Sequence, residues 1–559
     1  LKDEIDFVIW TGDSARHDND ERYPRSESQV LGQNRLLVSK FVEVFGKDDK
    51  IDDPDPTNDF IVPIIPTFGN NDILPHNIFE PGPNKWTNNY ASVWNKFVPE
   101  EQRHSFERGG WFFVEVIRNR LAVFSLNTLY FFDSNSAVDG CDAKSEPGYE
   151  HMEWLRVQLE LLRQRGMKAI ITGHVPPART ESKQSWDETC WQKYTLWMRQ
   201  YRDVVVGAVY GHANIDHFLI QDATELEYDF LTKEETTAGV ILHADKSVSI
   251  QSKSTYLNEL RERWSELPKP PSGLSYATAN GEESTSKKKK KSKKQKKREK
   301  FLKRIGGPWA ERFSSSLVSP SVVPNYYPTL RVFEYNITGL EDLHPSVYSS
   351  IPAAISDVED GLGFDEDLDT WDETERDEMA DENRDQDSLH ELKKKKKKKH
   401  KGQKKRKPPF KVPRAPHSTA PPGPAYSPQT FTWLSYAQYF ANLTHINNDS
   451  AKQDQEAFDN KNLAVEARAG LHMKKFKYEL EYHTKEDKIY KMPDLTMRSY
   501  LDLAEQMGRG ELKKTSAMKA GREAEGMTTK KHKNKMWHNF VKRAFVSTKP
   551  DDELEDQFG

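Results

Sequence analysis

Asp6-Phe7-Val8-Ile9-Trp10-Thr11-Gly12-Asp13 is an apolar run closed by a glycine and a carboxylate. Bulky, strand-forming residues in succession, ended by Gly12, predict a buried strand that delivers Asp13 at its C-terminal end. That end is where open α/β sheets bind ligands. The design recurs three times: residues 61–68 run into Gly69-Asn70-Asn71-Asp72, residues 168–172 into Gly173-His174, and residues 204–210 into Gly211-His212. Four strand ends that carry only Asp, Asn and His predict convergence on a metal site if the strands share a sheet.

With 35% hydrophobic and 30% charged residues in 559, much of the chain is not core, and one large folded domain carrying insertions is expected. The net charge of -4 hides segregation, because lysine runs and an acidic run nearly cancel. Two cysteines without a CxxC exclude a thiolate zinc site; Cys141 and Cys190 are either one disulfide or two free thiols. No run of 18 apolar residues is present. The chain opens at Leu1 in what reads as the end of a helix, so an upstream segment is expected.

Helical spacing is predicted over residues 30–45, 149–165, 190–201 and 256–267, and a β-hairpin over 111–126. Further strands are expected at 216–220, 239–243 and 247–251. Residues 1–267 are accordingly read as the catalytic domain, 268–307 as a Lys-rich disordered insertion, and 308–350 as a return to the folded domain. Residues 351–415 read as an acidic then Lys-rich disordered insertion, 416–548 as a C-terminal folded segment packed on the first part, and 549–559 as an acidic tail. Such exposed charged stretches are expected protease targets.

Asp, Asn and His donors suit divalent ions such as Mn, Fe, Zn, Mg or Co and leave positions for water and an anionic substrate. A pair of such ions promotes phosphoryl transfer by lowering the pKa of water and clamping the reacting oxygens. No GxSxG, GxxxxGK or HExxH element competes.

In this order the four motifs resemble those of the calcineurin-like metallophosphoesterases, with Gly12-Asp13…His17-Asp18 and Gly173-His174-Val175-Pro176-Pro177 similar to the acid sphingomyelinase branch. The resemblance is closer to the fungal endopolyphosphatases. It rests on residues 10–18, on Gly69-Asn70-Asn71-Asp72, on residues 210–218 and on the distal Pro424-Ala425-Tyr426-Ser427-Pro428-Gln429-Thr430-Phe431. It implies an α/β sandwich of mixed sheets flanked by helices, with disordered charged insertions.

Carried over by position, the resemblance implies that Asp13 bridges two divalent ions and that Asn70, His174 and His212 complete one shell. Asn214 stands where a second histidine is usual, and offers the other ion a weaker amide oxygen. The superfamily's opening Asp-x-His element would fall upstream of Leu1, so the second site keeps only Asp13 and Asn214 within this chain. Without that strand the isolated chain is expected to be less stable. Asn71 replaces a common catalytic histidine, and His17 is the candidate general acid.

Arg16, Arg22, Arg25 and Lys85 adjoin the motifs and are candidates for phosphate contacts; the lysine runs could gather a polyanion by counterion release. The resemblance implies internal cleavage of inorganic polyphosphate, in a vacuolar protein whose N-terminal membrane anchor would precede this chain. Asn336, Asn442 and Asn448 head sequons compatible with lumenal exposure. No specific nucleic-acid partner is expected, and oligomeric state is left open. The alternatives are a phosphodiesterase of the same fold that acts on a lipid, and a chain that binds metal and polyanion without turnover.

Overall fold

A computed structural model describes residues 2–17, 22–47, 59–226, 253–277, 292–323, 325–340, 410–417, 419–444, 476–509 and 534–559. The expected strands at 239–243 and 247–251, the acidic run, the lysine runs around 287–291 and 393–407, Asp18 and the Asn448 sequon lie outside the described residues.

The opening strand β1 (Val8–Trp10) pairs in parallel with β2 (Ile64–Pro66), Val8 opposite Ile64. The second sheet is mixed. Its strands β3 (Phe112–Ile117), β4 (Leu121–Ser125), β5 (Lys168–Thr172), β6 (Val205–Tyr210), β7 (His217–Asp222) and β8 (Phe313–Val318) run in the order β3-β4-β5-β6-β8-β7. Strands β4, β5, β6 and β8 are parallel neighbours, with β3 and β7 antiparallel at the edges. The third sheet orders β9 (Thr329–Tyr335), β10 (Trp433–Phe440) and β11 (Glu479–His483) as β11-β10-β9, antiparallel throughout. The molecule is thus α/β with mixed sheets flanked by helices, as the sequence implies.

Helix α1 (Glu27–Phe45) starts at a capping box in which Ser26 and Gln29 satisfy each other's backbone N–H groups, and it ends before Gly46. After α2 (Lys85–Val93) and α3 (Arg103–Gly109) come α4 (Pro147–Gln164) and α5 (Glu188–Gln200), which connect the parallel strands. They start at a proline and at an Asp187 cap respectively. The β2 loop rests on an aromatic cluster: Phe68 lies with its ring centroid 5.0 Å from Phe79, 4.8 Å from Tyr90 and 5.0 Å from Trp94. Strand β1 is only half-buried, whereas β2 is fully buried. This corrects the expectation of a buried opening strand: among the described residues β1 has a strand neighbour on one edge only.

Three other departures have local causes. Residues 293–304 are not disordered but form α7 (Lys293–Arg304): Ser292 and Gln295 make a capping box, and buried Phe301 packs 5.3 Å from Tyr276 while the lysines face outward. The tail is α10 (Asp551–Phe558), anchored by buried Leu554 and Phe558, the latter against Trp537 and Phe545. Strand β8 has no clear sequence signal, because three serines replace the apolar residues normal in a central strand; buried Ser316 accepts from Gln221 Nε2 at 3.1 Å.

The distal segment closes over the β7 edge. Phe218 stacks on Trp264 of α6 (Lys253–Ser265) at 4.7 Å, and Trp264 meets Phe540 of α9 (Lys535–Ala544) at 5.4 Å, beside α8 (Met497–Gly508). Such pairs add about 0.5–1.5 kcal/mol beyond area burial.

Cys141 and Cys190 form a disulfide, fully buried, that ties the loop before α4 to the first turn of α5 across 49 residues. Closing a loop of that length removes enough chain entropy from the unfolded state for about 4 kcal/mol of stability. Cys141→Ser/Cys190→Ser is therefore expected to lower the denaturation midpoint clearly in urea melts. An unchanged midpoint would mean that the bond contributes nothing to the fold.

Candidate metal centre

The loops after β1 and β2 meet back to back through glycines. A Cβ on Gly12, which sits at φ +82°, would lie 2.6 Å from Gly69 N, and one on Gly69 would lie 2.1 Å from Asp13 N. Only glycines permit that approach, and it sets Asp13 beside Asn70. The second sheet, separate from that of β1 and β2, joins them where Ser125 Oγ donates to Pro66 O at 2.6 Å and His174 Nδ1 meets Thr11 O at 2.6 Å. The four strand ends therefore do converge.

Asp72 organises the junction. Its carboxylate accepts from Asp13 N (2.8 Å), Ser14 N (2.9 Å), Ala15 N (3.0 Å), Gly69 N (3.1 Å) and Asn34 Nδ2 (3.0 Å), so one buried side chain ties together both loops and helix α1. Burial, and then the neighbouring charge of Asp13, raise its pKa. Sequence reading places Asp72 in the motif but does not reveal this role, since hydrogen bonds spanning 58 residues leave no local pattern.

At the centre, Asp13 Oδ2 lies 3.2 Å from His174 Nε2 and 3.6 Å from His17 Nε2. Asn70 Oδ1 lies 2.8 Å from His174 Nε2 and 2.9 Å from His212 Nδ1. The amide orientation is fixed by Asn77, whose Oδ1 accepts from Asn70 Nδ2 at 2.9 Å. His174 Nδ1 faces the Thr11 carbonyl at 2.6 Å, which makes Nδ1 the N–H and leaves Nε2, facing Asp13 and Asn70, to take either a proton or a metal ion.

Asp13, His174 and His212 can offer one donor atom each within 4.8 Å of one another. Lone pairs from a carboxylate, an amide and imidazoles aimed at one another are relieved only by a shared proton or a cation. This donor set fits a divalent metal ion.

Burial would raise the Asp13 carboxyl, but the charge of His174 and hydrogen bonds from His17 and His174 hold it well below the usual range. Burial opposes protonation of His174, but Asp13 raises it. His212 is pushed well down by burial, then by His174 and Lys183. Asp13, His212 and Asn214 all adopt left-handed backbone, with φ of 56°, 67° and 55°. Such conformations cost about 1–3 kcal/mol each and cluster at functional sites.

His17 stands at the same centre: its Nε2 is 3.4 Å from Asn214 Nδ2, which in turn donates to the His212 carbonyl at 3.3 Å. All six residues predicted for the reaction itself, namely Asp13, His17, Asn70, His174, His212 and Asn214, are therefore neighbours. The four predicted substrate cations are placed differently. Arg25 is buried, and its guanidinium donates to the carbonyls of Arg16 and Asn71, bracing the loop. Arg16 is half-buried and donates to the Tyr23 carbonyl. Lys85 is exposed and paired with Glu27 at 2.5 Å, and Arg22 sits on an exposed turn.

Behind His212 and Asn214, Asp216 receives the Arg331 guanidinium and the Tyr482 hydroxyl, and its N–H donates to Ala544 O at 3.0 Å. The loop after β6 is thus held by β9, β11 and α9. Among the described residues no helix is long and apolar enough to cross a membrane.

No protein-family model matches the chain. It is similar to fungal proteins named endopolyphosphatase. One from Neurospora crassa is 47% identical over 537 residues, covering 91% of this chain and 69% of that protein. One from Saccharomyces cerevisiae is 35% identical, covering 90% of this chain and 73% of that protein. One from Yarrowia lipolytica is 32% identical, covering 99% of this chain and 81% of that protein.

Proposed function

The chain belongs to the endopolyphosphatase family, and from that premise we propose that it hydrolyses internal phosphoanhydride bonds of inorganic polyphosphate to give shorter chains. The observation that carries the reading is the meeting of Asp13 Oδ2, Asn70 Oδ1 and His174 Nε2, with His212 Nδ1 beside them, at the ends of four strands. Asp13, Asn70, His174 and His212 would hold one divalent cation, and Asp13 with Asn214 would contribute to a second. Bound there, divalent ions supply a nucleophilic water near neutral pH and neutralise charge on the reacting phosphoryl oxygens.

The chain's own residues do the remainder. Asp72 and the Gly12–Gly69 contact keep Asp13 in register, and Thr11 fixes the His174 ring. His17, half-buried beside Asp13 and Asn214, is placed to deliver a proton to the departing phosphate oxygen. General acids of this kind contribute about 10²–10⁴-fold.

The test is metal analysis of the purified chain together with gel analysis of long polyphosphate after incubation with divalent metal. Bound metal and a ladder of intermediate lengths are expected. Intact polyphosphate would sink the reading, and turnover of a lipid phosphodiester instead would move the substrate within the fold.

We also propose a vacuolar, lumenal location, supported by the buried disulfide, a bond that persists in oxidising compartments. A tagged chain found outside the vacuole in a fungal host would refute it.

A further inference from the structure

We propose that Lys183 and Lys253 form a subsite beside the metal centre that grips the polyphosphate chain on one side of the bond to be cut. The proposal rests on the polyphosphatase reading for its ligand, though not for its geometry. Lys183 lies on the connection between β5 and α5, and its ammonium stands 5.2 Å from the ring centroid of Tyr256. The Tyr256 hydroxyl bonds His217 Nε2 at 2.9 Å, and His217 directly follows the loop bearing His212 and Asn214. Lys253 opens α6, the helix that carries Tyr256, and its ammonium lies 4.8 Å from the Tyr326 ring. The ring contacts orient both ammonium groups without neutralising them.

The surrounding cations are neutralised. Arg179 pairs with Glu188, Arg263 with Glu225, Arg312 with Asp222, and Lys549 with Glu553. Lys183 and Lys253 alone in this neighbourhood have no carboxylate partner among the described residues. Burial draws the pKa of both lysines down to about 8, and the charges of Lys183 and Lys549 add to the effect on Lys253. Two residues beyond Lys183, the Ser185 carbonyl accepts from Asp133 N at 3.1 Å, and the neighbouring Phe132 packs on His212 with ring centroids 5.2 Å apart, which sets the Lys183 loop against the metal centre. Two half-buried ammonium groups held together without a counterion oppose folding, and a polyanion is the ligand whose binding relieves them. Endo-cleavage requires phosphates to be held beyond the scissile bond, and this pair supplies point-charge contacts for them.

Binding of end-labelled long polyphosphate to the full chain in EDTA, read by fluorescence anisotropy over a salt series, separates this claim from catalysis. K183Q/K253Q is expected to bind roughly tenfold or more weakly, with the log–log salt slope shallower by about 1.4, taking about 0.7 per lost contact as for single-stranded nucleic acid. K183R/K253R should recover most of the affinity, and K183Q/K253Q should melt no lower than the wild type. Unchanged affinity and slope in K183Q/K253Q, or a wild type that does not bind polyphosphate, would overturn the subsite. Equal losses in both variants with lowered melting would assign the lysines a structural role and overturn it too. If the metal-loaded wild type leaves polyphosphate uncut while the binding differences appear, the hydrolytic reading fails and the subsite stands.

Discussion

Asp13→Asn is expected to lower kcat/KM for polyphosphate by about 10³-fold or more, a loss of roughly 4 kcal/mol in the transition state. Asp13 is the one carboxylate among the converging donors, so its loss removes the only negative charge that a cation would meet there among the described residues. The amide is also mismatched to its surroundings. Asp13 Oδ1 accepts from Asn71 N and Oδ2 from Asn71 Nδ2, both at 2.8 Å, so an asparagine would turn an NH₂ group toward a donor. Metal titration and chain-length gels check the outcome together. Retained metal with retained cleavage would remove Asp13 from the centre.

Asp72→Ala is expected to be the most destabilising single change near the site, by roughly 3–5 kcal/mol. It would strip the acceptor from five buried or nearly buried donors, four of them backbone N–H groups in the two loops that present Asp13 and Asn70. No water-filled space is needed for the argument, because each donor points at the same two oxygens. Urea denaturation gives the magnitude, and metal affinity should fall with it. A variant that melts like the wild type yet loses metal would mean that Asp72 acts on the ion rather than on the loops.

Sequence reading brought four of the converging donors together because each sits one step past a strand and a glycine, a pattern set by local backbone geometry. Asp13, Asn70, His174 and His212 each follow their glycine directly. What a charged side chain finds in three dimensions has no such pattern. Arg25 and Lys183 look alike from the sequence, but one is turned inward onto carbonyls while the other stands beside Tyr256 with no carboxylate partner among the described residues.

Composition misled for the same reason at 293–304, where Phe301 and Ile305 are enough to anchor a helix whose other faces are lysine. It misled again at the distal end, where acidic residues conceal buried Leu554 and Phe558. In β1 the error ran the other way: Val8, Ile9 and Trp10 are strand-like in character but only half-covered.

The anchoring of Asp216 also puts a clock on maturation. His212 and Asn214 are made early on the ribosome, but the groups that seat their loop, Arg331, Tyr482 and Ala544, emerge more than a hundred to more than three hundred residues later. A nascent or prematurely terminated polypeptide therefore has the ligands without the frame that aims them. Hydrolytic competence is accordingly expected to come late in synthesis, and a chain cut short of Ala544 is expected to hold metal more weakly than the full chain.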